Sequence, residues 1–528
     1  MSIFTKTVRS KLPSNVFKDL SYSNKLDMQI GYLYPVEVEE IYPGDIFFAG
    51  FGAMVRSQPL VNPVMHNFNL NVRYFFVPNR LVWSNFESYI TNQEKGKASI
   101  EVANPHVHPY LSGKVPMNML HDCMGIAPLD GDHEFGSYSP DSYYASGLPL
   151  NALPFRAYNL IWNEYFKDEN VMDDLPLLLT DGADSTSFEL QRVSWKKDYF
   201  TSALPFAQRG EAVQMIGRVI LGNTDKNQLY VNSQGNPLDY PGTAVFGVNA
   251  DADTYLLSHD ASHDEETWLD PNGTLNAAVE FSAIRRATAL QRFLERSALG
   301  GNRYAELLLA HFGVRSSDAS LQRPQYLGGG VAPINISPVE QTSGTLADGE
   351  TPQGNLAGKG VGVGSMYMNK ATMFTEHGFL IGLAYIRPDA DYFNGIRRTM
   401  VKGTDRYEDY YWPDFQNIGE QEIHNFELFA AAGDPGQNNS PFGYQSRYAH
   451  LKWHGNEVHG AFRKELRSWV APREFSSLPT LSQDFIECDL DVDNNFAVAP
   501  DVFPPFMLEG LNVVQARRPM YYFNRGVL

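Results

Sequence analysis

The sequence predicts a mainly β protein whose core consists of strands joined by long loops. Over residues 67–76 apolar and polar side chains alternate, and this period of two indicates a half-buried strand. Similar patterns at 33–38 and 379–385 are separated by turn formers such as Pro43-Gly44. Helical periodicity is confined to a few segments. Strands with long interruptions are typical of an all-β core decorated by loops.

Three segments predict helices. Within 154–169, apolar residues recur at spacings of three and four, which favours an amphipathic helix packed on a sheet. Residues 287–299 and 303–312 show the same period and are separated by Gly300-Gly301-Asn302, a stop followed by a restart. We assign no catalytic role to these helices.

Two long segments lack the regular patterning of the rest. Residues 96–150 are rich in Gly, Pro, Asp, His and Ser, and they indicate a long ordered loop. Between Lys226 and Arg285 there are nine acidic residues and no Lys or Arg. We therefore predict a body formed by 1–210 and 285–528, with 211–284 as an acidic surface insertion.

Glycines dominate 328–364. A nucleotide-binding loop requires G-x-x-x-x-G-K-[ST] or G-x-G-x-x-G, and neither pattern occurs in the sequence. In 358–364 glycine occupies every second position, and we predict a flexible or extended loop there.

Composition limits the possible functions. The 528 residues carry a net charge of −19, so the chain as a whole should be soluble and repel nucleic acid. With only two cysteines, no disulfide framework is implied, and a reducing compartment is expected. We find no signal peptide and no apolar run near the roughly 18 residues that a membrane span needs, so we expect no membrane insertion.

Candidate metal and catalytic motifs are weak. His454 and His459 lie five apart, whereas a zinc-binding H-E-x-x-H helix places its histidines one turn apart. His106 and His108 share one face of an extended segment without an identifiable third ligand. The aspartates of 489–493 lack the glycine and glutamate of a calcium loop. We predict no catalytic residue, no metal site and no cofactor.

The two ends of the chain are locally basic. Residues 1–18 hold four basic residues and no acid, and the tail 514–525 combines three arginines with three aromatics. Cations follow phosphates and aromatic rings stack on bases, so this composition suits single-stranded nucleic acid, although a solvated or interface-packed tail is the alternative. The candidate DNA-binding residues are Lys6, Arg9, Lys11, Arg517, Arg518, Tyr521, Tyr522 and Arg525.

Six sets of motifs, in order along the chain, resemble one family, the major capsid proteins of microviruses (small icosahedral single-stranded-DNA bacteriophages), and within it the gokushovirus branch. The motifs are Pro63-Val64-Met65-His66 with Tyr74–Trp83, Leu153–Asn159 with Ile161–Glu164, Asp198–Pro205, His311–Val314 with Leu321–Pro324 and Leu327–Gly330, Tyr411-Trp412-Pro413 with Gly419–Glu422, and Phe442–Gln445 with Arg447-Tyr448.

The resemblance implies a single eight-stranded antiparallel jelly roll with long loops. Copies of the chain would assemble into an icosahedral shell around single-stranded DNA, forming a virion made in the host bacterial cytoplasm. Implied partners are the chain itself, the packaged DNA, other virion proteins and a host-cell surface receptor. A small basic DNA-condensing peptide is a further expected partner, because a net charge of −19 per copy matches a polyanion poorly. The insertion would be a threefold protrusion. Its candidate host-contact residues are Asp251, Asp253, Asp264, Glu265, Glu266 and Trp268.

Two other functions remain open from the residues alone. Abundant aromatics and acids also suit a β-sandwich carbohydrate-active enzyme or carbohydrate-binding protein, which would ordinarily carry an export signal. A soluble binding module whose acidic insertion recognises a host surface overlaps with the coat protein, because a protrusion on a shell can also bind a receptor.

Overall fold

The structure is a computed structural model, and it describes residues 16–92, 106–111, 118–126, 149–208, 218–219, 277–278, 281–300, 303–342, 353–403, 406–500 and 502–520. The chain divides into two units. One consists of 1–207 with 298–528, and the other of 208–297.

Strands dominate the first unit. In chain order the strands of the molecule are β1 (Val16–Asp19), β2 (Tyr22–Met28), β3 (Tyr34–Ile41), β4 (Ile46–Ser57), β5 (Phe68–Pro78), β6 (Tyr110–Leu111), β7 (Ala183–Asp184), β8 (Arg218–Val219), β9 (Ala277–Ala278), β10 (Gln325–Glu340), β11 (Leu356–Tyr367), β12 (Thr372–Met373), β13 (Gly378–Pro388), β14 (Asp391–Tyr392), β15 (Glu420–His424), β16 (Pro441–Ser446), β17 (Asn456–Glu457) and β18 (Phe506–Arg518).

The helices are short except for α4 and α5. They are α1 (Asn79–Val82), α2 (Phe86–Thr91), α3 (Met119–Cys123), α4 (Leu153–Tyr165), α5 (Phe281–Gly300), α6 (Tyr304–Phe312), α7 (Arg406–Asp409), α8 (Asn425–Leu428), α9 (Pro435–Asn439) and α10 (Gln483–Ile486). The helices predicted at 154–169, 287–299 and 303–312 correspond to α4, α5 and α6.

One antiparallel sheet organises the first unit. Eight strands follow each other in the order β1-β18-β4-β11-β10-β5-β13-β3, while β2 pairs with β18 and β12 pairs with β4. The pairings along this path are antiparallel. The predicted fold class, a mainly β antiparallel fold with long insertions and few helices, is confirmed.

Side chains join β3 to strands at the opposite end of this path. The backbone oxygen of Val36 in β3 accepts hydrogen bonds from Asn512 Nδ2 at 2.8 Å and from Asn24 Nδ2 at 3.3 Å. Arg518 also donates to the backbone oxygen of Glu40, at 2.9 Å. Asn512 is fully buried, so the hydrogen bond between Asn512 and Val36 lies in the protein interior. Polar side chains therefore connect β3 with β2 and β18, where no backbone ladder forms.

The strand predicted at 67–76 is β5, and it is more deeply buried than its alternation suggests. Asn69 and Arg73 remain partly exposed, as predicted for the polar face. Phe75, on that same face, packs against Tyr165 and Phe166 with ring centroids 4.8 and 6.1 Å apart. The end of α4 therefore covers the second half of β5.

The prediction of a loop over 358–364 is wrong, because these residues form β11 in the interior of the sheet. The alternating glycines lie where neighbouring strands leave no room for side chains. A Cβ on Gly360 would lie 2.9 Å from Ser57 Cβ, and one on Gly362 would lie 3.0 Å from Ile334 Cγ1. A pattern of glycine at every second position here marks one closely packed face of a strand.

The described part of the second unit is small. It contains the strand pair β8–β9, in which Arg218 lies opposite Ala278, and most of α5. Most of the acidic insertion predicted at 211–284 lies outside the described residues.

Candidate assembly and nucleic-acid surfaces

The histidine motifs occur in pairwise contacts. His459 Nε2 lies 3.1 Å from a Glu457 oxygen, and His106 Nδ1 lies 2.7 Å from Asp181 Oδ2. Among the residues that the structure describes, no group of three or more His, Cys, Asp or Glu side chains is placed to hold a metal ion. These histidines therefore act locally, through bonds to neighbouring carboxylates.

Two sizeable cavities contain ion pairs between their own lining residues. In the first, of about 790 Å³, Arg192 pairs with Asp489 at 2.6 Å. In the second, of about 660 Å³, Arg398 pairs with Glu427 at 3.2 Å. These acids and arginines neutralise each other within the chain.

One acid, on the terminal strand β3, is buried in the protein core. Glu37 of β3 is 1% exposed, and neither of its carboxylate oxygens has a hydrogen-bond partner among the described residues. Burial raises the pKa of Glu37 well above its ordinary value, and the nearby Glu39 adds to this shift. Glu37 therefore favours its neutral form, and its charge is suppressed by the surrounding core.

Arg517 and Arg518, both predicted to bind DNA, occupy different environments at the end of β18. Arg517 projects from the exposed face of the strand, and its side chain makes no hydrogen bond or ion pair with the described residues. The Arg518 guanidinium lies 3.5 Å from Asp45 and over the Phe47 ring, 4.9 Å from its centroid. Arg518 therefore stabilises the sheet edge, while Arg517 remains available to a ligand.

The sheet register brings together the places where the two basic segments begin. Val16 lies opposite Arg518, and Phe17 lies opposite Arg517. The start of β1 at Val16 and the end of β18 at Arg518 therefore lie side by side. The other predicted DNA-binding residues lie outside the described residues, as do all the predicted host-contact residues: Lys6, Arg9, Lys11, Tyr521, Tyr522 and Arg525, and Asp251, Asp253, Asp264, Glu265, Glu266 and Trp268.

Six exposed apolar and aromatic side chains lie close together in the sequence after β14, within residues 400–418. We call this set the aromatic surface, and its members are Met400, Tyr407, Tyr410, Tyr411, Trp412 and Ile418. From the sequence, Tyr411-Trp412-Pro413 is identified only as a motif of the family resemblance, and no exposed surface is predicted there. The available signal was the run Tyr410-Tyr411-Trp412 between charged residues, with neither a strand period nor a helix period.

None of the described helices is both long enough and apolar enough to cross a membrane. The chain matches the family model described as capsid protein (F protein) over residues 7–527. It is 32% identical to capsid protein VP1 of Chlamydia phage 1, covering 95% of this chain and 94% of that protein. It is also 32% identical to capsid protein VP1 of Bdellovibrio phage phiMH2K, covering 97% and 94%, and 29% identical to that of Spiroplasma virus 4, covering 93% and 91%.

These matches agree with the family indicated by the sequence motifs, and they span nearly the whole chain. They identify a structural component of a virion, and they give no support to the alternative of a carbohydrate-active enzyme. The chain belongs to the capsid protein (F protein) family and, within it, to the gokushovirus-type major capsid proteins.

Proposed function

We propose that copies of this chain assemble into a small icosahedral shell that encloses a single-stranded DNA genome. The observation that carries this proposal is the match to a capsid protein family over residues 7–527. The single large antiparallel sheet supports it, because such a fold gives a rigid body whose long loops are free to contact neighbouring subunits.

Electron microscopy of the purified protein tests the assembly. We expect closed particles of uniform diameter. A protein that stays monomeric at high concentration would contradict the proposal.

We infer that DNA contact involves the basic segments at both ends of the chain. The pairing of Val16 with Arg518 supports this, because the first described residue of the chain lies beside an arginine of the basic tail. Each phosphate neutralised by an arginine or lysine releases counterions, so clustered cations bind a polyanion strongly at low salt. A chain with net charge −19 needs such a local positive region to hold a genome.

Arg517 and Arg518 are a matched pair for testing the DNA contact. Arg517 is exposed and unpaired among the described residues, so Arg517→Ala should lower the amount of DNA retained in particles. The slope of the logarithm of the DNA-binding constant against the logarithm of the salt concentration should become shallower by about 1, the value for one lost phosphate contact. Arg518→Ala should mainly lower the stability of the folded chain, because its guanidinium is already engaged. Equal DNA binding by wild type and Arg517→Ala would rule out this role for Arg517.

We further propose that residues 211–284 form a surface protrusion, at the threefold axes, that contacts the host cell. The division of the chain at residues 208–297 supports a separate segment, and the acidic composition of 226–285 suits outward exposure away from DNA. Deleting 226–284 should leave shell formation intact and reduce adsorption to host cells. Loss of shells in this variant would contradict a purely peripheral role.

A small basic DNA-condensing peptide and other virion proteins complete the proposed set of partners. The net charge of −19 per copy supports a separate source of positive charge near the genome. Mass spectrometry of purified particles identifies such components directly.

A further inference from the structure

The aromatic surface has the composition of an interface centre. Its six side chains are between 38% and 71% exposed, with Met400 the most exposed and Tyr407 the least. Tyrosine, tryptophan and methionine are enriched at the centres of protein interfaces, where tryptophan and tyrosine contribute much of the binding energy. Exposed apolar side chains in one short segment point to a contact site when they lie together on the surface.

Hydrogen bonds and ring contacts hold the aromatic surface in position. Trp412 Nε1 donates to the backbone oxygen of Arg406 at 3.0 Å. The Tyr411 ring packs edge-on against the buried Tyr448 at 5.2 Å, and the Tyr448 hydroxyl donates to the backbone oxygen of Tyr407 at 2.8 Å. Because these rings are already fixed, a partner that covers them loses little free energy to side-chain ordering.

We propose that the aromatic surface is the face by which one copy of this chain packs against a second copy. This inference rests on the proposed assembly function and identifies one of its contacts. The exposed area suits such a contact. Large aromatic side chains bury about 150–250 Å² each. Half of that for the four aromatic members gives roughly 300–500 Å², and Met400 and Ile418 add further apolar area towards the ~800 Å² per partner in a stable interface.

The local charge also favours a second copy over a nucleic acid. Residues 396–418 carry four basic side chains, Arg397, Arg398, Lys402 and Arg406, and four acidic ones, Asp405, Glu408, Asp409 and Asp414. The balance is 4 − 4 = 0, in a chain of net charge −19. Two copies repel each other over most of their surfaces, so contact is favoured where that repulsion is absent. A segment without net positive charge does not favour a polyanion.

Replacing rings with small polar side chains tests the proposal. In the double variant Tyr410→Ser/Trp412→Ser we expect the protein concentration at which particles form to rise by about 30-fold or more, as sedimentation velocity measures it. The matched control is Tyr410→Phe/Trp412→Phe, which keeps a ring at both positions and should assemble nearly as wild type. A serine variant that assembles as readily as wild type would overturn the proposal while leaving the assembly function intact. Wild-type protein that forms no particles would overturn the assembly function itself.

Labelling of a single introduced thiol gives a second readout that does not depend on how the serine variant folds. In Tyr410→Cys, a maleimide should modify residue 410 at least 10-fold more slowly in assembled particles than in dissociated protein. Comparing particles with and without DNA identifies what covers the residue. Protection in both supports a second copy, whereas protection only in DNA-filled particles, or equal labelling throughout, rejects the proposal.

Discussion

The α4 region and the aromatic surface use the same types of residue in opposite ways. In α4, Tyr158 and Trp162 are almost fully buried, and Trp162 Nε1 donates to the backbone oxygen of Arg192 at 2.8 Å. In the aromatic surface, Trp412 makes an equivalent bond to a backbone oxygen, yet it remains 45% exposed. Local hydrogen bonding therefore does not distinguish the two regions. The difference lies in what covers the ring faces, and it separates side chains that stabilise the fold from those left for a neighbour.

The largest expected effect comes from making the same substitution on both sides of this comparison. Trp162→Ala should lower the free energy of unfolding by about 3–5 kcal/mol, because it leaves a cavity and an unpaired carbonyl. Trp412→Ala should change it by about 0.5 kcal/mol or less. Chemical denaturation of dissociated protein measures both values. A large loss in Trp412→Ala would mean that this ring also stabilises the fold.

Burial in the core, seen for the rings of α4, also applies to Glu37 of β3 and there predicts a dependence of stability on pH. The pKa of Glu37 is raised in the folded chain, so its contribution to stability is complete below the unfolded pKa and is lost as pH rises towards the folded pKa. Between these limits the free energy of unfolding should fall by about 1.4 kcal/mol per pH unit. Glu37→Gln should remove this decline.

Denaturation of wild type and Glu37→Gln at pH 5, 6 and 7 measures the difference in slope. The control is Glu509→Gln, a substitution on the exposed face of β18. If wild type and Glu37→Gln show parallel pH profiles, then Glu37 is ionised in the folded protein.

A partly exposed residue, Arg518, should give the smallest measurable change in the free energy of unfolding. Arg518 is partly exposed, bonds the backbone oxygen of Glu40 and lies over the rings of Phe47 and Tyr42. Arg518→Ala should cost roughly 1–2 kcal/mol from one hydrogen bond and one stacking contact. Arg517→Ala should cost less than about 0.5 kcal/mol. Equal losses in the two variants would place both arginines in the same structural role.

The amino-acid sequence predicts α4 correctly, but it predicts neither β11 nor the strand order. The sequence predicts a packed helix for the rings of α4, because Phe155, Tyr158 and Trp162 repeat with a helical period. It predicts a loop for the glycines of β11, which is wrong, because the close approach of Ser57 and Ile334 is set by strands distant in sequence. Strand order and register are likewise invisible in one sequence. For this reason the closeness of the two basic ends, and the contrast between Arg517 and Arg518, required the structure.

The position of β18 in the sheet has a consequence during protein synthesis. This strand, Phe506–Arg518, lies between β4 on one side and β1 and β2 on the other. At about 5–20 residues per second, a ribosome needs roughly 20–90 s to pass from the end of β4 to β18. During that time the edges of β2 and β4 lack their final partner, and exposed edges promote aggregation. Rapid translation of the last segment, or a host chaperone that shields these edges, should therefore raise the yield of folded coat protein.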